Sequence, residues 1–219
     1  MKNLFSYTLL LPAIFLPFIS CTPPPELPVI PSIVFKNVKY VETEGADSLI
    51  VTIEFKDGDG DLGLTSDDIL APYQPYFDSL DDNQDTIKFG SRPGLPEYNP
   101  IDYVIRRDAE GTPIDTLLVR INDNHYNYFV HFYQKKNGRY TEFNWRDKPY
   151  YQTFDGRFPL LNTSGKSKPL EGELRYSMVS SGWIYIFRDS MRLVVQIQDR
   201  ALHKSNIVES PAFILEGIK

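Results

Sequence analysis

Between Lys56 and Leu64 the chain reads Lys-Asp-Gly-Asp-Gly-Asp-Leu-Gly-Leu, which sets carboxylates at Asp57, Asp59 and Asp61 with a glycine between each pair. Carboxylate oxygens are hard ligands. A chain that curls through glycine can aim three of them at one point, as calcium loops do. An EF-hand counted from Asp57 would need glycine at its sixth place, where Leu62 stands, and a helix before it, where the pattern is that of a strand. The alternative is a solvated Asp-Gly turn closed by its own side-chain hydrogen bonds. Asp81, Asn83 and Asp85 repeat the alternate spacing and form a weaker candidate for a second ion. Other reactive patterns are missing. His125, His131 and His203 lack metal-ligand spacing, and the single cysteine cannot build a zinc site. Gly165-Lys166-Ser167 has Leu160 where a phosphate loop requires its first glycine, and there is no Gly-x-Ser-x-Gly elbow. Only a glycosidase-like pair among the many Asp and Glu residues stays open by inspection.

The elements that must carry the acidic turn read as strands. From Ser48 to Phe55, Leu49, Val51, Ile53 and Phe55 alternate with Ile50, Thr52 and Glu54, the period of two of a half-buried strand. Further strands are predicted at Ile33–Val41, Thr116–Ile121, Tyr128–Tyr133, Arg139–Phe143, Glu171–Met178, Trp183–Phe187, Arg192–Gln198 and Ala212–Leu215. Asn137-Gly138 joins two of them as a tight hairpin, because both residues tolerate positive φ. Thr65–Leu70 alone has the look of a short helix with a Thr or Ser cap. Many short strands and scarcely a helical period predict an all-β fold, an immunoglobulin-like antiparallel β-sandwich. An excursion over about residues 65–100 leaves it, its proline- and aspartate-rich part running from Ala71 to Pro100. In immunoglobulin-like order, strand 48–55 is B and strand 192–198 is F. Their following loops share one end, which brings Asp199 to Asp57, Asp59 and Asp61. Four such carboxylates repel one another unless calcium, or Arg200 and Lys56, neutralise them.

The composition is that of a folded domain: 219 residues, 42% hydrophobic, 14% aromatic and 24% charged. A net charge of −6 opposes binding to nucleic acid, and one cysteine excludes an internal disulfide framework. Residues 1–20 read as a signal peptide: Lys2, then an apolar run from Leu4 to Ile19 that is broken by Pro12 and Pro17 and is shorter than a membrane-spanning helix requires. Phe18-Ile19-Ser20-Cys21 resembles a bacterial lipobox, which makes Cys21 the acylated start of the mature chain, with acyl chains such as palmitate holding it on the membrane. Residues 21–31, Cys-Thr-Pro-Pro-Pro-Glu-Leu-Pro-Val-Ile-Pro, then form an extended proline-rich tether to a domain over 32–219.

The segment Phe55-Lys56-Asp57-Gly58-Asp59-Gly60-Asp61-Leu62-Gly63 resembles a motif of Bacteroidota outer-membrane lipoproteins. Leu170-Glu171-Gly172-Glu173-Leu174-Arg175-Tyr176 and Gln198-Asp199-Arg200-Ala201-Leu202-His203-Lys204-Ser205-Asn206 resemble the same family. The resemblance implies an immunoglobulin-like domain on an outer-membrane lipid anchor and no catalytic activity. Lipoproteins of that phylum that are exported to the cell surface often carry an acidic cluster just after the acylated cysteine. Here only Glu26 stands there, which leaves the periplasmic and the cell-surface face both open. Five triplets, centred on Ser48, Ser79, Thr86, Thr116 and Ser190, look like the O-glycosylation signal of that phylum; Asp-Ser and Asp-Thr also simply close turns.

These readings point to a non-catalytic lipoprotein, an accessory or binding subunit of an outer-membrane complex such as a barrel transporter or assembly machine. The alternatives are a carbohydrate-binding surface lipoprotein and, behind it, a carboxylate-dependent hydrolase. Tyr126 to Phe154 holds eleven aromatic residues, which serve either as core or as a contact surface. Exposed, coplanar rings around Trp145 or Trp183 would favour sugar stacking.

Overall fold

The computed structural model describes residues 27–218. The signal peptide, Cys21 and the first part of the tether lie outside the described residues. Those that are described are nearly all β, with every strand pair antiparallel.

Among the described residues, ten strands form three sheets. The first has the order β1–β2–β8, built from Ser32–Val41, Asp47–Asp57 and Leu170–Ser180. The second has the order β10–β9–β6–β7, from Val208–Glu209, Met191–Ile197, Tyr128–Lys136 and Arg139–Phe143. Their apolar faces share one core. Leu49, Val51, Ile53 and Phe55 of β2 are buried while Glu54 and Lys56 are exposed, and Met191, Leu193, Val195 and Ile197 of β9 are sealed completely. In strands, alternate side chains point to opposite faces, so this spacing delivers one apolar row from each sheet to the interior. The β6–β7 hairpin turns through Asn137 (φ 51°) and Gly138 (φ 81°), with Lys136 opposite Arg139.

Rings fill one half of the core. Phe132 stacks on Trp183 and Phe187, while Trp145 meets Trp183 edge-on at 5.5 Å and 87°. None of the eleven aromatic residues between Tyr126 and Phe154 is exposed.

Several expectations change. Trp183–Ile186 is a single helical turn, α1, and not a strand: four consecutive apolar residues fit either state, and here burying Trp183 at the end of β8 decides it. Ala212–Leu215 contributes only the bridge between Phe213 and Met191 before a 3-10 turn over Leu215–Ile218. Thr65–Leu70 is a set of turns, because Asp68 accepts from both the backbone N–H and the hydroxyl of Thr65 and closes the segment locally.

The excursion is larger and more ordered than the sequence predicts. The strand that includes Thr116–Ile121, β5 (Pro113–Ile121), joins neither core sheet; it is the middle of a third sheet between β3 (Tyr76–Asp78) and β4 (Tyr103–Arg107). This lobe has its own apolar centre of Ile87, Tyr103, Leu117 and Val119, outside the main core, with Phe89, Tyr98 and Tyr103 in mutual ring contact. Polar bonds close its root and attach it to the body. The Asn122 amide donates to the carbonyls of Pro72 and Gln74, both at 2.7 Å, and so ties together the segments that enter and leave the lobe, while Arg200, from the loop after β9, grips Asp68.

Candidate metal centre

The acidic turn lies at the end of β2, where Asp57 is opposite Leu170 at the start of β8. Segments remote in the chain hold it. Lys168 donates its N–H to the Asp59 carbonyl at 3.1 Å, Leu62 forms a bridge with Asp199 just beyond β9, and the Leu161 N–H reaches the Leu62 carbonyl at 3.0 Å. Gly60, at φ +70°, allows the reversal between Asp59 and Asp61.

The turn gathers its carboxylates. One oxygen from each of Asp57, Asp59 and Asp61 lies within 4.8 Å of the other two, a spacing that one ion with ligands at about 2.3–2.6 Å can bridge. Asp57 is fully buried. Both of its carboxylate oxygens, with Asp59 Oδ1 and Asp61 Oδ1, are buried without a hydrogen-bond partner. A charged oxygen removed from water and left unpartnered is strongly unfavourable, and either a proton or a bound cation relieves it. The electrostatics agree. Burial pushes the Asp57 carboxyl up to about 7, and the charges of Asp59, Asp61 and Asp199 push the same way. The Asp61 N–H opposes this without reaching hydrogen-bond geometry. Asp61 is also raised, first by burial, then by Asp199 and Asp59; the Ala201 N–H on its Oδ2 and nearby His203 act against the rise.

Asp199 comes to the cluster as the strand order predicts, but it faces away in its bonding. Its Oδ1 accepts the His203 N–H at 2.7 Å, and its Oδ2 is 2.9 Å from His203 Nδ1. It acts on the turn as a neighbouring charge, and the three-carboxylate group is Asp57, Asp59 and Asp61. Neither basic neighbour neutralises them. Arg200 turns its terminal nitrogens to Asp68, and Lys56 sits 3.6 Å from Glu171. The residues present therefore could hold a metal ion through hard oxygen donors.

The other candidates have local partners. Asp81 Oδ1 accepts from the backbone N–H groups of Asn83 and Asp85, so this triplet closes a turn and gathers no ligands. Ser48 lies on β2, while Ser79, Thr86 and Thr116 belong to the small lobe; the Ser190 hydroxyl meets that of Tyr140 at 2.8 Å. All five hydroxyl residues are half-buried. Trp145 and Trp183 are buried in the core and offer no open ring face.

A groove of about 380 Å³ that sequence reading missed opens beside β6 and β7. Its three carboxylates have basic neighbours: Glu142 meets His131 at 2.8 Å, Asp155 meets Arg146 at 3.1 Å as well as Thr153 and the Val130 N–H, and the more exposed Asp123 lies 3.6 Å from Arg146. Most of its lining comes from the chain between Asp123 and Asp155, which contains the aromatic stretch, with Gln196 and Lys204 added from β9 and the loop after it; it is the way that stretch folds back on itself, and not any residue spacing, that opens the groove. Neither a family model, nor a curated protein, nor a solved structure matches the chain.

Proposed function

We propose that this chain is a non-catalytic, lipid-anchored module of the outer membrane, an immunoglobulin-like sandwich whose acidic turn takes up calcium and which serves as an accessory or binding subunit of an outer-membrane protein complex. The observation that carries the calcium assignment is Asp57, sealed from solvent with both carboxylate oxygens unpartnered beside two further carboxylates. Calcium suits such a group because it accepts many oxygen ligands in irregular geometry and does not demand a strict octahedron. The anchor rests on the lipobox-like run that ends at Cys21. A binding role is supported by the groove beside β6 and β7, where Glu142 pairs with His131 and Asp155 with Arg146 along an aromatic floor of Phe132, Trp145 and Phe154.

Calorimetric titration of the protein with calcium tests the ion: heat is expected that disappears when Asp57, Asp59 and Asp61 are all changed to Asn, and no heat with the intact protein ends this reading. Mass spectrometry of the mature N-terminus tests acylation of Cys21. Affinity purification from membranes in mild detergent tests the partner: reproducible recovery with a barrel protein supports the role, and recovery alone counts against it.

A further inference from the structure

We infer that the ion in the acidic turn latches the N-terminal segment onto the body, so that the direction in which the chain reaches the domain depends on the cation. This rests on the reading that the turn holds a divalent cation. The latch is a main-chain contact inside the acidic motif itself. Gly58, between Asp57 and Asp59, donates its N–H to the Pro28 carbonyl at 2.9 Å. The two backbones are so close that a Cβ on Gly58 would stand 2.2 Å from the Leu27 carbonyl oxygen and 2.7 Å from that of Pro28. Little else fastens the segment: Val29 and Ile30 are exposed, Pro31 is buried, and among the described residues this is the one hydrogen bond recorded for residues 27–31. From Ile33 onward the chain is secured independently, because the Asn206 side-chain amide bonds both the N–H and the carbonyl of Ile33, at 2.8 and 2.9 Å.

The position of Gly58 is thus set by the same three residues that would ligate the ion. With the ion bound, Asp57 and Asp59 are drawn to one centre and the N–H between them is held toward Pro28. With it removed, the carboxylates repel and the turn opens, and a segment held by a single hydrogen bond follows.

Hydrogen exchange on the full mature chain in detergent, in millimolar calcium and then in excess chelator, reads the latch at the Gly58 amide. Chelation is expected to speed exchange of that amide about tenfold and to expose Val29–Ile30 to proteolysis, while amides in the middle of β2 and β9 keep their protection. If calorimetry shows calcium binding yet Gly58 exchange and cleavage at Val29–Ile30 stay the same, the latch is refuted and the ion site stands. If calcium does not bind at all, both fail. Gly58→Ala gives a second arm: calcium heat persists while Val29–Ile30 is cleaved equally with and without the ion. Cation-dependent protection in that variant would also refute the latch.

Discussion

Arg200 holds Asp68 with both terminal nitrogens, at 2.6 and 2.9 Å, across 132 residues of chain. The pair joins the loop after β9 to the root of the small lobe, and two further contacts strengthen the joint: the Tyr73 hydroxyl donates to the Arg200 carbonyl, and Arg157 donates to the carbonyls of Thr65 and Asp68. Planar two-point pairing of guanidinium and carboxylate is the strong form of ion pair, and lysine cannot reproduce it.

The Arg200 guanidinium, with help from Thr65, holds the Asp68 carboxyl below the usual carboxylate range. A lowered folded-state value means that the stabilisation is present above the unfolded value near 4 and disappears as the pH falls through the folded one. Wild-type protein is therefore expected to lose stability from about pH 4 downward more steeply than Asp68→Asn. Thermal melts between pH 2 and pH 6 measure this, and Arg200→Lys should fall between the two.

Asp57 has the opposite sign. Its folded-state value, pushed up to about 7, means that the folded protein binds a proton more tightly than the unfolded chain does between about pH 4 and pH 7. Without divalent cation, stability should fall as the pH rises through that window. Millimolar calcium should reverse the trend and raise the melting temperature most at pH 8, where the site is fully charged. Asp57→Asn should flatten both responses; a melt series with and without chelator decides the matter.

Removing the ring at the centre of the core should be severe. Trp183 is fully buried against Phe132, Trp145, Phe154 and Phe187, so Trp183→Ala is expected to cost about 3–5 kcal/mol, measured by urea unfolding.

The small lobe has its own apolar centre and its root is closed by polar bonds, so it should loosen without unfolding the body. Asn122→Ala removes the two bonds to Pro72 and Gln74 together with the Asn122 oxygen that caps Asn124. Faster proteolysis within residues 72–107, with the melting temperature of the body changed by only a degree or two, is the expected result.

Which parts of this were legible in the sequence follows from the range of each interaction. The alternation of Leu49, Val51, Ile53 and Phe55 marks a strand because burial on one face imposes a period of two, and Asn137-Gly138 marks its hairpin because positive φ is a local demand. Sheet membership is not local, which is why β5 reads as one more core strand when it belongs to the lobe. β3 and β4 are short and end in Asp78 and in Arg106-Arg107, so they carry almost no apolar alternation. In the site, Asp57, Asp59 and Asp61 are visible from spacing alone, and Asp199 from strand order. That Arg200 would choose Asp68, and that Gly58 would meet Pro28 backbone to backbone, depends on loops whose side chains give no sign of it.

Both tryptophans of the chain sit in that one aromatic cluster, at the far end of β8 from the acidic turn. Two indoles 5.5 Å apart and nearly perpendicular, both buried, occupy one apolar compartment. Tryptophan emission, excited at wavelengths where the chain's 14 tyrosines do not absorb, should therefore follow the interior and stay unchanged when the loops at the opposite pole rearrange.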